Sequence, residues 1–149
     1  MSDGYRISFD REALRRLGAA GMGRGRGAQL VEAMARIIRA AIVDEMEGAP
    51  PRTGRVYRIP GTQATYTASA PGEAPAVRGG LYRDSWGITD PVIDAQRIVA
   101  AVVNPIMVGG VPLGLLLEEG GGHVLPRPHI RPGLERARGE IEALIRRLR

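Results

Sequence analysis

The chain has 149 residues, an apolar fraction of 44% and a formal net charge of +5, which is material for one core of ordinary domain size. It contains no cysteine, so a disulfide framework, a thiolate metal site and a cysteine nucleophile are excluded. All 21 basic residues are arginine; the absence of lysine reads first as biased codon usage and only second as a device for binding phosphate.

The opening stretch MSDGYRISFDRE carries charges where a secretion signal needs an apolar centre, so a cytosolic site of synthesis is expected. YRISF (5–9) alternates as a short strand does. Asp10 then suits an N-cap, with Phe9 and Leu14 placed as a hydrophobic staple, and a short helix is expected to end at Leu17 with Gly18 as its C-cap. GAAGMGRGRG (18–27) reads as a flexible connector whose glycine spacing does not match a dinucleotide-binding fingerprint.

The strongest helical pattern runs over 28–48, with Leu30, Met34, Ile37, Ile38, Ala41, Ile42 and Met46 on one stripe. Its last turn holds Asp44, Glu45 and Glu47, where the helix dipole disfavours negative charge. Such a cluster calls for arginines, with Arg52, Arg55 or arginines of another subunit as candidates. Residues 49–80 then form a long Pro-rich stretch with little ability to bury an apolar face, an uncommon feature inside a compact domain. LYRDSWGIT (81–89) and QRIVAAVVN (96–104) have strand character and predict an antiparallel hairpin, with Trp86 and Ile88 on one side.

From Ile98 to Leu117 no residue carries a formal charge, which is the length of a membrane span. Asn104-Pro105, Gly109-Gly110 and Pro112 interrupt it with turn signals, so two short buried segments joined by a turn are expected and no membrane association. A short apolar turn or helix, a glycine break and an extended Pro-rich lead follow. The last helix, Pro132 to Leu148, carries Leu134, Ile141, Leu144, Ile145 and Leu148 on its buried face. Helices set against an antiparallel sheet predict an α+β fold: a sheet packed on a long N-terminal helix and a C-terminal helix, with a long Pro-rich loop, in one domain over 1–149.

Catalytic chemistry is thinly supplied. Glu118, Glu119 and His123 are separated by three glycines and lack the fixed spacing of a metal site. Ser69 and Ser85 lack the strand-to-helix elbow of a hydrolase nucleophile. An enzyme is not expected, nor a cofactor.

Two stretches gain meaning together. APPRTGRVYR with ASAPGEAPAVRGGLYRDSW, and LLEEGGGHVLPRPHIRPGLERA, resemble the head-tail connector and tail-completion family of tailed phages, also found in prophages and gene transfer agents. Pro51, Thr53 and Gly54 match the segment that follows that family's helix, and Gly80, Leu81 and Ser85 match a second copy before the strand. Glu118, Glu119 and Gly120 stand at its Glu-aromatic-Gly position. Pro126, Arg127, Pro128, Ile130, Arg131 and Pro132 match its Pro-Arg-Pro lead into the last helix. His129 and Glu119 replace the usual aromatics, and Gly79-Gly80 replaces Thr-Gly.

The resemblance implies a virion structural protein of the head-tail junction, assembled in the host cytoplasm as a ring, sixfold to match a siphophage tail. Its partners would be further copies of itself, adjacent neck proteins and double-stranded DNA passing through the channel, touched without sequence preference. A tail terminator ring is the alternative position, and a small Arg-rich nucleic-acid-binding module the alternative of another class. The implied subunit-facing residues are Arg52, Arg55, Tyr57, Arg58, Pro71, Pro75, Arg78, Glu118, Glu119, Arg127, His129 and Arg131. The loop to about Val77 is expected to be an arm ordered by neighbouring subunits, and Leu81 to Trp86 to launch the sheet.

Overall fold

The computed structural model describes residues 5–9, 12, 23–48 and 51–147. In chain order its elements are β1 (Tyr5–Phe9), α1 (Arg24–Glu47), β2 (Val56–Arg58), β3 (Thr65–Thr67) and α2 (Leu81–Asp84). Then come β4 (Gly87–Ile88), β5 (Val92–Ile93), β6 (Ile98–Val103), β7 (Met107–Val108), β8 (Val111–Pro112), α3 (Leu113–Glu119) and α4 (Ile130–Arg146). The fold is α+β, with a long N-terminal helix, antiparallel sheets and a C-terminal helix. The expected Asp10 cap, the Phe9 and Leu14 staple and the helix closed by Gly18 lie outside the described residues and side chains.

Strand β6 is the axis of the main sheet. It pairs antiparallel with β1 along one edge, Tyr5 opposite Val102 and Phe9 opposite Ile98, and with β4 and β5 along the other. Its side chains alternate strictly: Ile98, Ala100 and Val102 are fully buried, while Val99, Ala101 and Val103 are half-buried. The hairpin expected between 81–89 and 96–104 exists only at its sheet end. Residues 81–84 form a helical turn, because Gly80 enters at φ 80° and the Ser85 backbone N–H and hydroxyl both donate back to the Leu81 carbonyl. Trp86 lies between that turn and β4, buried in the core beside half-buried Ile88.

Helix α1 starts one turn before the expected residue 28, so the end of the supposed linker is helical. Glycine is a poor helix former, but Gly27 is buried and tertiary packing overrides propensity. The buried set also departs from the single stripe: Val31 and Ala35 are fully buried and Ile37 only partly. The cause is position. Helix α1 lies between the sheet and α4, so two of its faces must be apolar.

Helix α4 begins at Ile130, two residues earlier than expected; Pro132 fits its first turn, where backbone N–H groups have no intrahelical acceptor. Ile130, Gly133 and Ala137 are buried, with Leu134 and Ile141 packed beside them. Gly133 is where α4 crosses α1: a Cβ there would lie 2.9 Å from Ile42 Cα and 3.0 Å from Ile42 N. The uncharged run 98–117 resolves into β6, the β7–β8 hairpin turning at Gly109 and Gly110, and the start of α3. Among the described residues no helix is long and apolar enough to cross a membrane.

The Pro-rich stretch holds its own hairpin, against the expectation of a loop without structure. Ile59-Pro60-Gly61-Thr62 makes a turn closed by Thr62 N–H donating to Ile59 C=O, with Gly61 at φ 77°, the positive value a type II turn requires. It joins β2 to β3 with Tyr57 opposite Tyr66.

Gly133→Ala is expected to force α1 and α4 apart, since the obstructing atoms are backbone. The cost should be about 1–3 kcal/mol, read as a fall in thermal midpoint of about 2–4 °C per kcal/mol. An unchanged midpoint would contradict the close crossing.

Candidate interaction surface

Glu118 is the hub of the region in which the conspicuous segments meet. It sits in the last turn of α3 with its side chain turned inward, 6% exposed. Its Oε2 accepts the backbone N–H groups of His129 and Ile130 at 2.8 and 2.9 Å, and its Oε1 that of Arg131 at 2.9 Å. The residue at the N-cap of α4, His129, makes no side-chain cap of its own. A carboxylate from another helix therefore takes the cap's place, satisfying the orphan donors and facing the positive end of the dipole. Burial pushes the Glu118 pKa up, but the three backbone donors together outweigh it and the net shift is downward.

His129 is fully buried beside it. A carbonyl only accepts, so the 2.9 Å contact from Nδ1 to the Arg127 carbonyl fixes the hydrogen on Nδ1. Nε2 then accepts from the Tyr82 hydroxyl at 2.7 Å. Burial holds the His129 pKa below its ordinary value, with the Arg127 carbonyl and Glu118 opposing. Tyr82, Trp86 and His129 form three mutually edge-on ring pairs, with centroids 5.6 to 6.1 Å apart. Asn104, buried at the end of β6, donates to the Tyr82 carbonyl, and Arg39 of α1 donates to the Trp86 carbonyl at 2.6 Å.

The arm is tied to this hub by its own chain. Arg52 donates to the carbonyls of Met46 and Pro75, closing the end of α1 onto the arm. Glu73 accepts from the Thr53 hydroxyl at 2.5 Å and from the backbone N–H groups of Thr53 and Ala70, and these bonds, the hydroxyl's first, lower its pKa. Gly54 is needed because the strand beyond the hairpin passes so close that a Cβ would lie 2.5 Å from the Ala68 carbonyl oxygen. Gly72 N–H donates to the Pro126 carbonyl, and Arg127 Nε donates to the carbonyl and hydroxyl of Ser69. Residues 68–76 thus form one wall of a groove of about 460 Å³, with Leu113 and Leu117 of α3 and the turn His123–Leu125 lining the others.

This arrangement corrects several expectations. The arm has hydrogen bonds to its own chain on both sides, beyond the contacts expected from neighbouring subunits. Glu118 and His129 serve the interior rather than a subunit-facing surface, because the start of α4 needs a buried acceptor. Pro75 is buried too, its carbonyl taken by Arg52. The acidic end of α1 is met by arginines from elsewhere than Arg52 and Arg55: Glu47 pairs with Arg83 at 2.8 Å, and Glu45 pairs with Arg136 of α4. Glu119 faces outward and pairs with Arg131. Among the described residues no cluster of His, Asp and Glu is placed to hold a metal, and Glu118 does not share a site with Glu119 and His123. Exposed positions remain at Arg55, Tyr57, Arg58, Pro71 and Arg78. Arg55 and Arg78 lie over the rings of Tyr57 and Tyr66, while Arg58 reaches Thr62 and Gln63 in the hairpin turn. Tyr66, Glu73, Tyr82 and Asn104 were not singled out from the sequence. The alternation of VYR and TYT about a Pro-Gly pair was the available signal for Tyr66.

No family model matches the chain, and no curated protein or solved structure matches it.

The lowered pKa values of Glu118 and His129 predict acid sensitivity with a definite sign. For each group the unfolded chain binds its proton at higher pH than the folded chain does, so stability falls as pH falls. The His129 contribution should be lost first, below about 6.5, and that of Glu118 below about 4.3. Denaturation midpoints measured from pH 7 to 5 should decline in the parent and be flatter in His129→Gln; an identical slope would contradict the assignment. Glu118→Gln should cost about 2–3 kcal/mol at neutral pH, because the amide presents one acceptor and a clashing donor to three N–H groups.

Proposed function

We propose that this chain is a structural subunit of the head-tail junction of a tailed phage particle, a ring-forming connector or tail-completion protein. In this role it binds no cofactor and carries out no chemistry. It repeats one heterologous interface until a ring closes, sixfold to match the tail, and so lies between adjacent neck proteins around a channel for DNA.

One observation carries the reading. The two stretches that resemble the phage family are far apart in sequence, yet the second reaches the arm that belongs to the first. Thr53 and Arg52 hold it at Glu73 and Pro75, and Pro126 and Arg127 hold it at Gly72 and Ser69. The matched segments are thereby tied into one unit, and the hairpin that springs from it is largely exposed. A hairpin so held suits contact with a neighbour, since little conformational entropy remains to be lost on docking. Exposed apolar residues on both hairpins support the same reading. Val56 and Tyr57 on the β2–β3 hairpin and Met107, Val108 and Val111 on the β7–β8 hairpin are all more than 40% exposed, as interaction surfaces are.

Excising 56–67 tests the proposal cleanly. Ala68 N–H donates to the Arg55 carbonyl at 3.0 Å, so a short glycine-containing turn can close the gap without strain. The excised chain should keep its far-ultraviolet circular dichroism and nearly its thermal midpoint. Particles made with it as the sole copy should separate into heads and tails under the electron microscope. Joined, infectious particles containing the excised chain would overturn the reading.

A further inference from the structure

Four side chains meet on one face of the β2–β3 hairpin: Tyr57 and Tyr66 of its strands, Arg55 just before β2, and Arg78 from the chain beyond the arm. Alternation along β2 puts Arg55 and Tyr57 on the same face, and the register sets Tyr57 opposite Tyr66. The two rings stack with centroids 5.6 Å apart and planes inclined by 23°. The Arg55 guanidinium lies over Tyr57 at 5.5 Å, and that of Arg78 lies over Tyr66 at 5.1 Å. Each ring thus has its partner ring on one side and a guanidinium over it.

The charge on this column is not neutralised within the described residues. Ion pairs there use Arg36, Arg83, Arg97, Arg131, Arg136 and Arg138. Arg55 and Arg78 join none of them, and both are exposed. A guanidinium drawn to the negative face of a ring keeps its full charge and has N–H donors to offer an anion. Fixing it there in advance removes part of the entropy cost of binding. The column is therefore a preorganised pair of cations on one face of a hairpin anchored at its base.

We propose that the Arg55–Tyr57–Tyr66–Arg78 column is a sequence-independent contact for the phosphates of double-stranded DNA. It rests on the neck reading for the presence of a duplex, and on the column's geometry for the contact itself. A single strand is held through bases stacked on open aromatic faces, whereas Tyr57 and Tyr66 stack on each other and each lies under a guanidinium, which leaves the arginines as the contact. An acidic protein surface offers scattered carboxylates. A duplex offers one negative charge per about 1.7 Å of its axis, so both cations meet a phosphate in any register along it. With two phosphates contacted, binding should be weak and salt-dependent, which lets DNA slide past.

The test uses the purified full chain and a labelled mixed-sequence duplex, followed by fluorescence anisotropy as salt rises from about 50 to 200 mM. In Arg55→Gln/Arg78→Gln the slope of log affinity against log salt should be shallower by about 2, roughly 0.9 per contact removed, and equally so for two unrelated duplexes. Arg146→Gln/Arg147→Gln, which removes two exposed arginines elsewhere, should leave the slope unchanged. Four results would overturn the proposal: no binding of duplex by the parent at low salt, an unchanged slope in the first variant, an equal loss in the second, or tighter binding of single-stranded DNA or poly-glutamate at matched charge. None of these depends on particles joining, so the neck reading stands or falls separately in the excision experiment.

Discussion

A buried carboxylate accepting three backbone N–H groups is a demanding arrangement, and much of this molecule is shaped by it. Glu118 must arrive at the start of α4 from outside that helix, because His129 has its own ring committed to Tyr82 and to the Arg127 carbonyl. Helix α3 therefore runs only to Glu119 and breaks at Gly120, and the chain turns back through 121–128 in an extended lead. That lead is what meets the arm. Without the cap the first turn of α4 would hold unsatisfied donors against Ile130, which is almost completely buried.

The second organising device is arginine donating to backbone carbonyls. Arg39 holds the Trp86 carbonyl, Arg52 those of Met46 and Pro75, and Arg127 those of Ser69, Leu125 and Pro126. These are charge-assisted bonds to groups that loops otherwise leave unpaired. They let a chain rich in glycine and proline keep fixed loops around a modest core. The arginines that are not spent this way or in ion pairs lie largely at the surface, and two of them cover the tyrosine pair of the hairpin.

The parts of the fold governed by local periodicity were readable in the sequence. Strand β1, the body of α1, strand β6 and α4 all follow from alternation or a helical stripe. The misreadings arise where tertiary context decides. Gly27 is helical because it is buried, Val31 and Ala35 are core because α1 has two covered faces, and Leu81–Asp84 is a helical turn because Gly80 and Ser85 cap it. At the interaction surface the sequence marked Arg55, Tyr57 and Arg78 but not Tyr66, whose value lies in a cross-strand register that composition cannot state. Glu118 and His129 were expected to face a neighbouring subunit, and both are buried. The helix terminus that needs them becomes visible only when α3 and α4 are placed together.

The central claim is that one carboxylate couples the start of α4 to the arm. Native-state hydrogen exchange in Glu118→Gln tests it most directly, residue by residue, against the parent chain. The account predicts faster exchange at the amides of His129, Ile130 and Arg131 and, through the displaced lead, at Gly72, whose N–H donates to Pro126. Unchanged protection at all four amides would contradict it.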